Sequence, residues 1–235
     1  MKNNGTFVKW AGGKSQLIEQ YKPFFPKKID RYFEPFLGSG AVFFFVKKNF
    51  NPKEIFLSDI NEELIITFKV VRDKVEDLIK SLMKRKQLNS KEYFYKVRKE
   101  KSQELSDVER ASRLIYLNKT CYNGLYRVNT KGEFNVPFGK YKNPSIFDEK
   151  ILREASKLLK GANIEVVTFD TILNTARKGD FIYFDPETIV CMDEDGVEIS
   201  LFRPSKLSER FKNYDITKNF QIWLKEEKPK PRKDK

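Results

Sequence analysis

Phe33-Glu34-Pro35-Phe36-Leu37-Gly38-Ser39-Gly40 places two glycines between a short apolar strand and an apolar helix. Glycine lets the backbone approach a ligand closely and adopt positive φ. The stretch lacks the third glycine of a dinucleotide-binding loop and the lysine of a phosphate-binding loop. An ordinary tight turn remains the alternative, so this stretch alone predicts a strand-turn-helix unit and leaves its ligand open.

Further strands alternate with helices along the chain. Residues 55–58 form a short apolar run that ends at Asp59, and Asn61 is a suitable N-cap for the helix that follows. Residues 164–169 alternate like a strand, and residues 181–184 form a buried strand after a Gly-Asp turn. This alternation predicts an α/β fold with a mostly parallel, Rossmann-like sheet, interrupted by an insertion at about 73–144.

Acidic residues end three of the predicted strands, namely Glu34, Asp59 and Asp185. Ligands of parallel sheets bind at the carboxyl ends of the strands. An acid at a strand end is often only a helix cap, but three together favour a site. Asp59 could bind both hydroxyls of a ribose, and the glycine turn does not favour a pyrophosphate. These features favour S-adenosylmethionine as the cofactor.

The composition favours a polyanionic partner. The 235 residues include 46 Lys and Arg against 33 Asp and Glu, a net charge of +13, and residues 84–119 carry eleven basic against five acidic side chains. An indifferent basic surface is the alternative. The chain has no histidine and only two distant cysteines, which excludes imidazole catalysis and zinc-finger spacing, so no metal site is predicted. Two distant cysteines do not favour a disulfide framework, so we expect a cytoplasmic protein. The chain shows no apolar signal core and no apolar run of spanning length, so we expect no membrane contact.

Four blocks in order resemble the Dam-type adenine-N6-specific DNA methyltransferases over about residues 6–186. They are residues 7–14 (Phe-Val-Lys-Trp-Ala-Gly-Gly-Lys), residues 33–40, residues 118–141 and residues 180–186 (Asp-Phe-Ile-Tyr-Phe-Asp-Pro). The third block contains Asn-Lys-Thr-Cys-Tyr-Asn-Gly-Leu-Tyr-Arg-Val-Asn and is similar to the DNA-recognition hairpin of that family. One block could arise by chance, but four in the family's order make chance a poor explanation.

The resemblance implies an enzyme that transfers methyl from S-adenosylmethionine to adenine N6 in double-stranded DNA. The base is flipped out of the duplex, and an acid with the following carbonyl accepts hydrogen bonds from its amino group. It implies catalytic roles for Asp185 and Pro186. It places Trp10, Lys14, Glu34, Pro35, Phe36, Gly38, Gly40, Asp59 and Asp185 at the cofactor. It places Asn123, Arg127, Asn135, Pro137 and Lys140 on the DNA. A cognate restriction endonuclease is implied as a partner, and we expect a monomer.

Each of these residue types also has a simpler explanation. Trp10 could be a core tryptophan, and Lys14 a solvated helix lysine. The fork of Arg127 matches guanine O6 and N7, but a phosphate contact explains it nearly as well without the family. Asn123 and Asn135 could contact base edges or simply close turns.

The chain departs from the family after Pro186. Glu187 and Thr188 stand where the family's Asp-Pro-Pro-Tyr motif has a proline and a base-stacking tyrosine. We therefore predict a catalytic domain of residues 1–72 and 145–186, a target-recognition insertion of residues 73–144, a sheet incomplete at its C-terminal side, and a divergent tail of residues 187–235. Residues 188–192 and 197–202 predict a β-hairpin within that tail. The alternative function is a truncated, interrupted (for example intein-containing) or non-catalytic DNA-binding relative.

Overall fold

The computed structural model describes residues 5–11, 13, 15, 17–184 and 188–191. Its strands are β1 (Arg31–Glu34), β2 (Glu54–Asp59), β3 (Asn163–Val166), β4 (Phe181–Phe184) and β5 (Thr188–Cys191). Its helices are α1 (Ile18–Tyr21), α2 (Ala41–Asn49), α3 (Glu62–Asp73), α4 (Val75–Gln87), α5 (Lys91–Lys99), α6 (Asp107–Thr120), α7 (Glu149–Leu159) and α8 (Ile172–Thr175). Short 3₁₀ turns cover Lys22–Phe24, Ser102–Glu104, Tyr122–Gly124 and Phe169–Thr171.

The five described strands form one sheet in the order β3-β2-β1-β4-β5. The first four run parallel, and β5 pairs antiparallel with β4. The chain moves outward from β1 through β2 to β3 and then returns to place β4 on the other side of β1. This reversal between β1 and β4 is the position at which open α/β sheets bind their ligands. The predicted Rossmann-like α/β sheet is confirmed.

Local sequence explains how the helices that follow β1 and β2 begin. Asn61 accepts a hydrogen bond from the Leu64 backbone N–H at 3.0 Å, so it caps α3 as predicted. Gly40 precedes α2 with a φ of 68°, a left-handed conformation that favours glycine. A Cβ at Gly40 would lie 3.1 Å from the Phe68 ring of α3, so glycine also permits the close packing of α2 on α3.

The helices α4, α5 and α6 occupy most of the predicted insertion and share one hydrophobic core with the sheet domain. Two buried arginines hold these helices together. Arg85 of α4 bonds Ser112 and Glu100, while Arg113 of α6 donates to the carbonyls of Val97 and Arg98 at the end of α5. The insertion is therefore fastened internally by charge-assisted hydrogen bonds as well as by apolar packing.

Three elements differ from their sequence-based predictions. The single helical stretch 73–119 is divided into separate helices by short breaks. The strand predicted at 164–169 ends at Val166, because a 3₁₀ turn begins at Phe169. Residues 188–191 are a strand as predicted, but they pair with β4 and extend the sheet; residues 197–202, their predicted partner, lie outside the described residues. In the described part of the chain, no helix has the length and apolar character needed to cross a bilayer.

Replacing Arg113 with Met should lower the free energy of unfolding by about 2–4 kcal/mol, because a buried guanidinium is lost together with its bonds to the Arg98 carbonyl and to the Val97 carbonyl, which keeps only the Glu100 N–H as donor. Urea denaturation measures the change. Lys99→Met, at an exposed position of the neighbouring helix, serves as the control and should change stability by less than about 0.5 kcal/mol. Equal effects of the two substitutions would contradict this role of Arg113.

Candidate functional site: a cleft at the β1–β2 edge beside the recognition segment

The predicted glycine turn follows β1 and closes tightly. The Leu37 N–H donates to the Ser58 carbonyl at 2.9 Å, and the Gly40 N–H donates to the Leu37 carbonyl at 2.7 Å. Gly38 has a φ of 49°, and a Cβ there would lie 3.1 Å from Cδ1 of Trp10. The turn thus brings backbone N–H groups to the end of β2 and allows the Trp10 ring to lie directly against them.

Asp59 ends β2 and is held by two backbone donors. Its Oδ2 accepts from the Gly38 N–H at 3.1 Å, and its Oδ1 accepts from the Asn61 N–H at 2.9 Å. A carboxylate oxygen has room for a second hydrogen bond, so each oxygen can also accept from a ligand. Because both bonds are to backbone, the carboxylate is oriented before any ligand arrives.

Glu34 lies at the end of β1 and is only 2% exposed. Its Oε2 accepts from the hydroxyl of Tyr32 at 2.7 Å. Burial, and then the neighbouring Glu34 carboxylate, raise the pKa of Tyr32 well above its ordinary value, so the phenol stays protonated and keeps donating. Glu34 and Tyr183 line the same cleft as Trp10 and the glycine turn. Pro35 is buried beside them.

Apolar side chains at the same edge were not predicted as a group. Ile60, immediately after Asp59, is 75% exposed, and Phe169, after β3, is 54% exposed. Phe169 stacks on the predicted residue Phe36, with ring centroids 5.7 Å apart and planes at 28°. Exposed apolar residues just beyond three neighbouring strands suit a flat apolar ligand group. The signal available in the sequence was the isoleucine that interrupts the polar run Ser-Asp-Ile-Asn-Glu.

Three predicted residues lie outside the described residues: Lys14 of the cofactor set and Asp185 and Pro186 of the catalytic pair. The described part of β4 ends at Phe184. Because β4 runs parallel to β1, the chain reaches Phe184 at the same edge of the sheet as Glu34. The order of the strands therefore leads the chain to the cleft immediately before Asp185.

The five predicted DNA-binding residues lie in one continuous stretch, residues 121–141, which we call the recognition segment. Arg127 Nε donates to Asn135 Oδ1 at 2.7 Å, and the Asn135 N–H donates to the Arg127 carbonyl at 3.0 Å. The Pro137 carbonyl accepts from the Tyr122 N–H, which joins the two arms of the segment. Arg127, Pro137, Lys140 and Asn123 are all exposed.

Asn123 has a left-handed φ of 53° in the turn Tyr122–Gly124. Asn is among the residues that adopt this conformation most readily, so the turn-closing role suggested for Asn123 has a physical basis. Tyr122 and Leu125, which flank the turn, are 53% and 40% exposed. These exposed apolar side chains were missed because the sequence does not say which face of the segment is open to solvent.

Asn118 joins the recognition segment to the residues before the cleft. Its amide is fully buried. Its Oδ1 accepts from the Lys9 N–H, and its Nδ2 donates to the carbonyls of Lys9 and Gly124, each bond 2.8 Å long. We call this arrangement the Asn118 clasp. It places Lys9 in contact with the recognition segment, where its Nζ lies 4.8 Å from the centroid of the Tyr141 ring.

Lys119 is the lysine next to the clasp. Burial, with the positive charge of Lys9 as a second cause, lowers the pKa of Lys119 to about 8. No carboxylate forms an ion pair with Lys119 among the described residues. Holding a cation at this position is therefore unfavourable until an anion arrives. Likewise, in the described ranges, His, Cys, Asp and Glu form no cluster of three or more that could hold a metal ion.

Comparisons with known proteins agree on one family. Residues 10–187 match the D12 class N6 adenine-specific DNA methyltransferase family. The type II methyltransferase M.MjaIII of Methanocaldococcus jannaschii is 45% identical over 195 residues, which cover 77% of this chain and 68% of that protein. The type II methyltransferase M1.LlaDCHI of Lactococcus lactis subsp. cremoris is 40% identical over 189 residues, covering 78% and 65%.

A DNA adenine methylase of Haemophilus influenzae is 34% identical over 227 residues, which cover 93% of this chain and 78% of that protein. Residues 1–186 make up about four fifths of the chain, so this similarity extends into residues 187–235. The chain spans about two thirds of the length of the first two relatives. None of these comparisons favours the alternative of a non-catalytic relative over an enzyme. The chain belongs to the D12 class N6 adenine-specific DNA methyltransferase family, as the four sequence blocks predicted.

Proposed function

We propose that this chain transfers methyl from S-adenosylmethionine to adenine N6 in duplex DNA, with the cofactor in the cleft at the β1–β2 edge. The observation that carries this proposal is Asp59, oriented by the Gly38 and Asn61 N–H groups at the carboxyl end of β2. The family supplies the reaction. The cleft is lined by Glu34 of β1 and Tyr183 of β4, the two strands between which the strand order reverses, and this supports its use as the cofactor site.

The residues in and beside the cleft fit the proposed cofactor. Asp59 has two oriented oxygens, which suit the two hydroxyls of a ribose. The exposed Ile60, Phe36 and Phe169 suit the faces of an adenine ring. Trp10 and the backbone of Gly38 would border the methionine part, and Lys14 would neutralise its carboxylate. When bound there, the cofactor supplies an electrophilic methyl group on a sulfonium centre.

The residues of the chain then have distinct roles in the proposed reaction. Asp185 and the Pro186 carbonyl would accept hydrogen bonds from the adenine amino group, which localises the nitrogen lone pair for attack. The buried Glu34 and its partner Tyr32 would keep the floor of the cleft rigid. Positioning and preorganised electrostatics of this kind supply the rate acceleration without a covalent intermediate.

DNA would bind across the recognition segment. Arg127, already bonded to Asn135 through Nε, has two terminal amino groups that this bond does not use and that match guanine O6 and N7. Lys9, Lys119 and Lys140 would contact phosphates and set the register of the duplex. We infer from the same pattern that residues 73–144 form the target-recognition insertion. We further infer that the chain acts as a monomer in the cytoplasm, alongside a cognate restriction endonuclease.

The purified 235-residue chain should transfer labelled methyl from S-adenosylmethionine to unmethylated duplex DNA, and digestion to nucleosides should yield N6-methyladenine. Asp185→Ala is the matched control and should lose the transfer, because it removes the acceptor for the amino group. Folded wild-type protein that binds duplex DNA and forms no N6-methyladenine would contradict the proposal. Methyl transfer to RNA in preference to duplex DNA would contradict the proposed substrate and identify RNA as the substrate class.

Asp59→Asn should weaken binding of S-adenosylmethionine at least about tenfold, since charge-assisted hydrogen bonds contribute about 1.5–3 kcal/mol and a tenfold change corresponds to 1.4 kcal/mol. Calorimetric titration measures the dissociation constant, and thermal denaturation verifies the fold. Asp77→Asn, at an exposed acid of α4, should leave the affinity unchanged. Unaltered binding by Asp59→Asn would remove Asp59 from the site.

Lys119→Met should raise the free energy of unfolding at pH 7 by about 1–2 kcal/mol, after allowance for partial solvent screening. The pKa of Lys119 is about 8 in the folded chain and about 10.4 when unfolded, so between these values the unfolded state binds more protons and wild-type stability rises with pH. The substitution should remove that rise. It should also weaken DNA binding. The magnitude of the slope of log K for DNA binding against log salt concentration should fall by about 1.

Urea denaturation at pH 7 and pH 9.5 measures the stability effect, and DNA titration at several salt concentrations measures the slope. Lys142→Met provides the control, because Lys142 is exposed and should give no gain in stability at pH 7. Stabilisation by both substitutions would show that net charge, and not the burial of Lys119, is responsible.

A further inference from the structure

Tyr126 is the aromatic side chain of the recognition segment that touches the candidate cofactor site. Its ring stacks on Trp10 with centroids 5.2 Å apart and planes at 25°. Trp10 in turn lies against Gly38, because a Cβ at that glycine would come within 3.1 Å of the indole. A displacement of Tyr126 therefore moves the tryptophan that borders the glycine turn.

The phenol of Tyr126 leads to the same site by a second route. Burial raises the pKa of Tyr126, and the neighbouring Asn61 side chain, which acts on the phenol, opposes that rise. The Asn61 N–H donates to Asp59 Oδ1, and Asp59 Oδ2 accepts from the Gly38 N–H. The contacts thus form a closed ring through Tyr126, Trp10, Gly38, Asp59 and Asn61, which we call the Tyr126 ring of contacts.

Tyr126 is also fixed within the recognition segment. Its ring meets the buried Phe134 edge-on, with centroids 5.9 Å apart and planes at 65°. The next residue, Arg127, is bonded to Asn135, so the two arms of the segment flank Tyr126. The Tyr126 ring therefore packs on Phe134, which adjoins Asn135 of the proposed DNA-reading pair in the chain, and on Trp10 of the proposed cofactor site.

We propose that Tyr126 is a positioning residue through which binding of duplex DNA and binding of the cofactor strengthen each other. This inference rests on the proposed function and deepens it. DNA seated on Arg127 and Asn135 restricts the recognition segment, and Tyr126 then holds Trp10 and Asn61 in the places where they complete the cofactor cleft. Because coupling of two equilibria is reciprocal, cofactor binding tightens DNA binding by the same factor.

The test measures the dissociation constant of S-adenosylhomocysteine by calorimetry, with and without saturating unmethylated linear plasmid DNA. This probe carries no transferable methyl group, so no turnover occurs during the titration. Wild type should bind it about 5-fold or more tightly when DNA is present. Tyr126→Leu should reduce that factor to below about 2-fold. Tyr126→Phe, which keeps the stack and loses the phenol, should retain an intermediate factor.

The control is Tyr93→Leu, at a half-buried tyrosine of α5 that packs on Tyr116 and contacts no member of the Tyr126 ring of contacts. It should keep the wild-type factor despite a comparable loss of aromatic packing. Thermal denaturation checks that each variant is folded. Trp10 fluorescence, measured in a Trp223→Phe background, gives a readout independent of turnover, since DNA should alter it in that background and not when Tyr126→Leu is added.

A wild-type chain that binds neither ligand overturns the proposed function and this inference with it. A wild-type chain that binds both ligands without coupling overturns the inference alone, as does Tyr126→Leu with the full wild-type factor. If Tyr126→Leu does not fold, the two variants Tyr126→Phe and Trp10→Phe replace it. The inference is overturned if DNA tightens the binding of S-adenosylhomocysteine to both of them by the full wild-type factor.

Discussion

The Asn118 clasp is the interaction on which the arrangement of both candidate sites depends. One buried amide pairs with both backbone groups of Lys9, in part-buried hydrogen bonds, and with the Gly124 carbonyl in a buried one, so it satisfies three main-chain groups. Leaving such groups unpaired costs about 1–3 kcal/mol each. The clasp connects the segment that carries Trp10, the end of α6 and the turn of the recognition segment. Contact geometry at Gly124 is correspondingly tight, since any Cβ there would collide with the Lys9 side chain.

The positive charge of Lys119, at the end of α6 next to the recognition segment, opposes folding and favours an anionic partner. Lys119 is largely buried next to the positive Lys9, and its lowered pKa shows the cost of keeping it charged. The buried Arg85 pairs with Glu100, the partly buried Arg110 pairs with Glu62 and Glu63, and the buried Arg113 donates to two carbonyls. Lys119 has no carboxylate partner among the described residues. Under the proposed function a phosphate would supply that partner, and counterion release would make DNA binding strongly dependent on salt.

The framework around the cleft was predictable because its signals are local. A strand, two glycines and an apolar helix predicted the turn at residues 33–40, and the polar run after β2 predicted both Asp59 at the strand end and Asn61 as the cap. The resemblance located the recognition segment for the same reason, since its residues are contiguous. What could not be predicted were contacts between distant parts of the chain. Neither the pairing of Asn118 with Lys9 nor the stacking of Tyr126 on Trp10 has a periodic or compositional signal.

By itself the sequence determined the family, the parallel α/β sheet, the acids at strand ends and the excess of positive charge, because each follows from short motifs or from composition. Only the tertiary structure decided how these parts meet. It oriented Asp59 with two backbone donors, exposed Ile60 and Phe169 at one edge, and desolvated Lys119 beside Lys9. Burial and pairing depend on which surfaces pack together across the whole chain, and that is a property of the folded molecule and not of any single stretch of it.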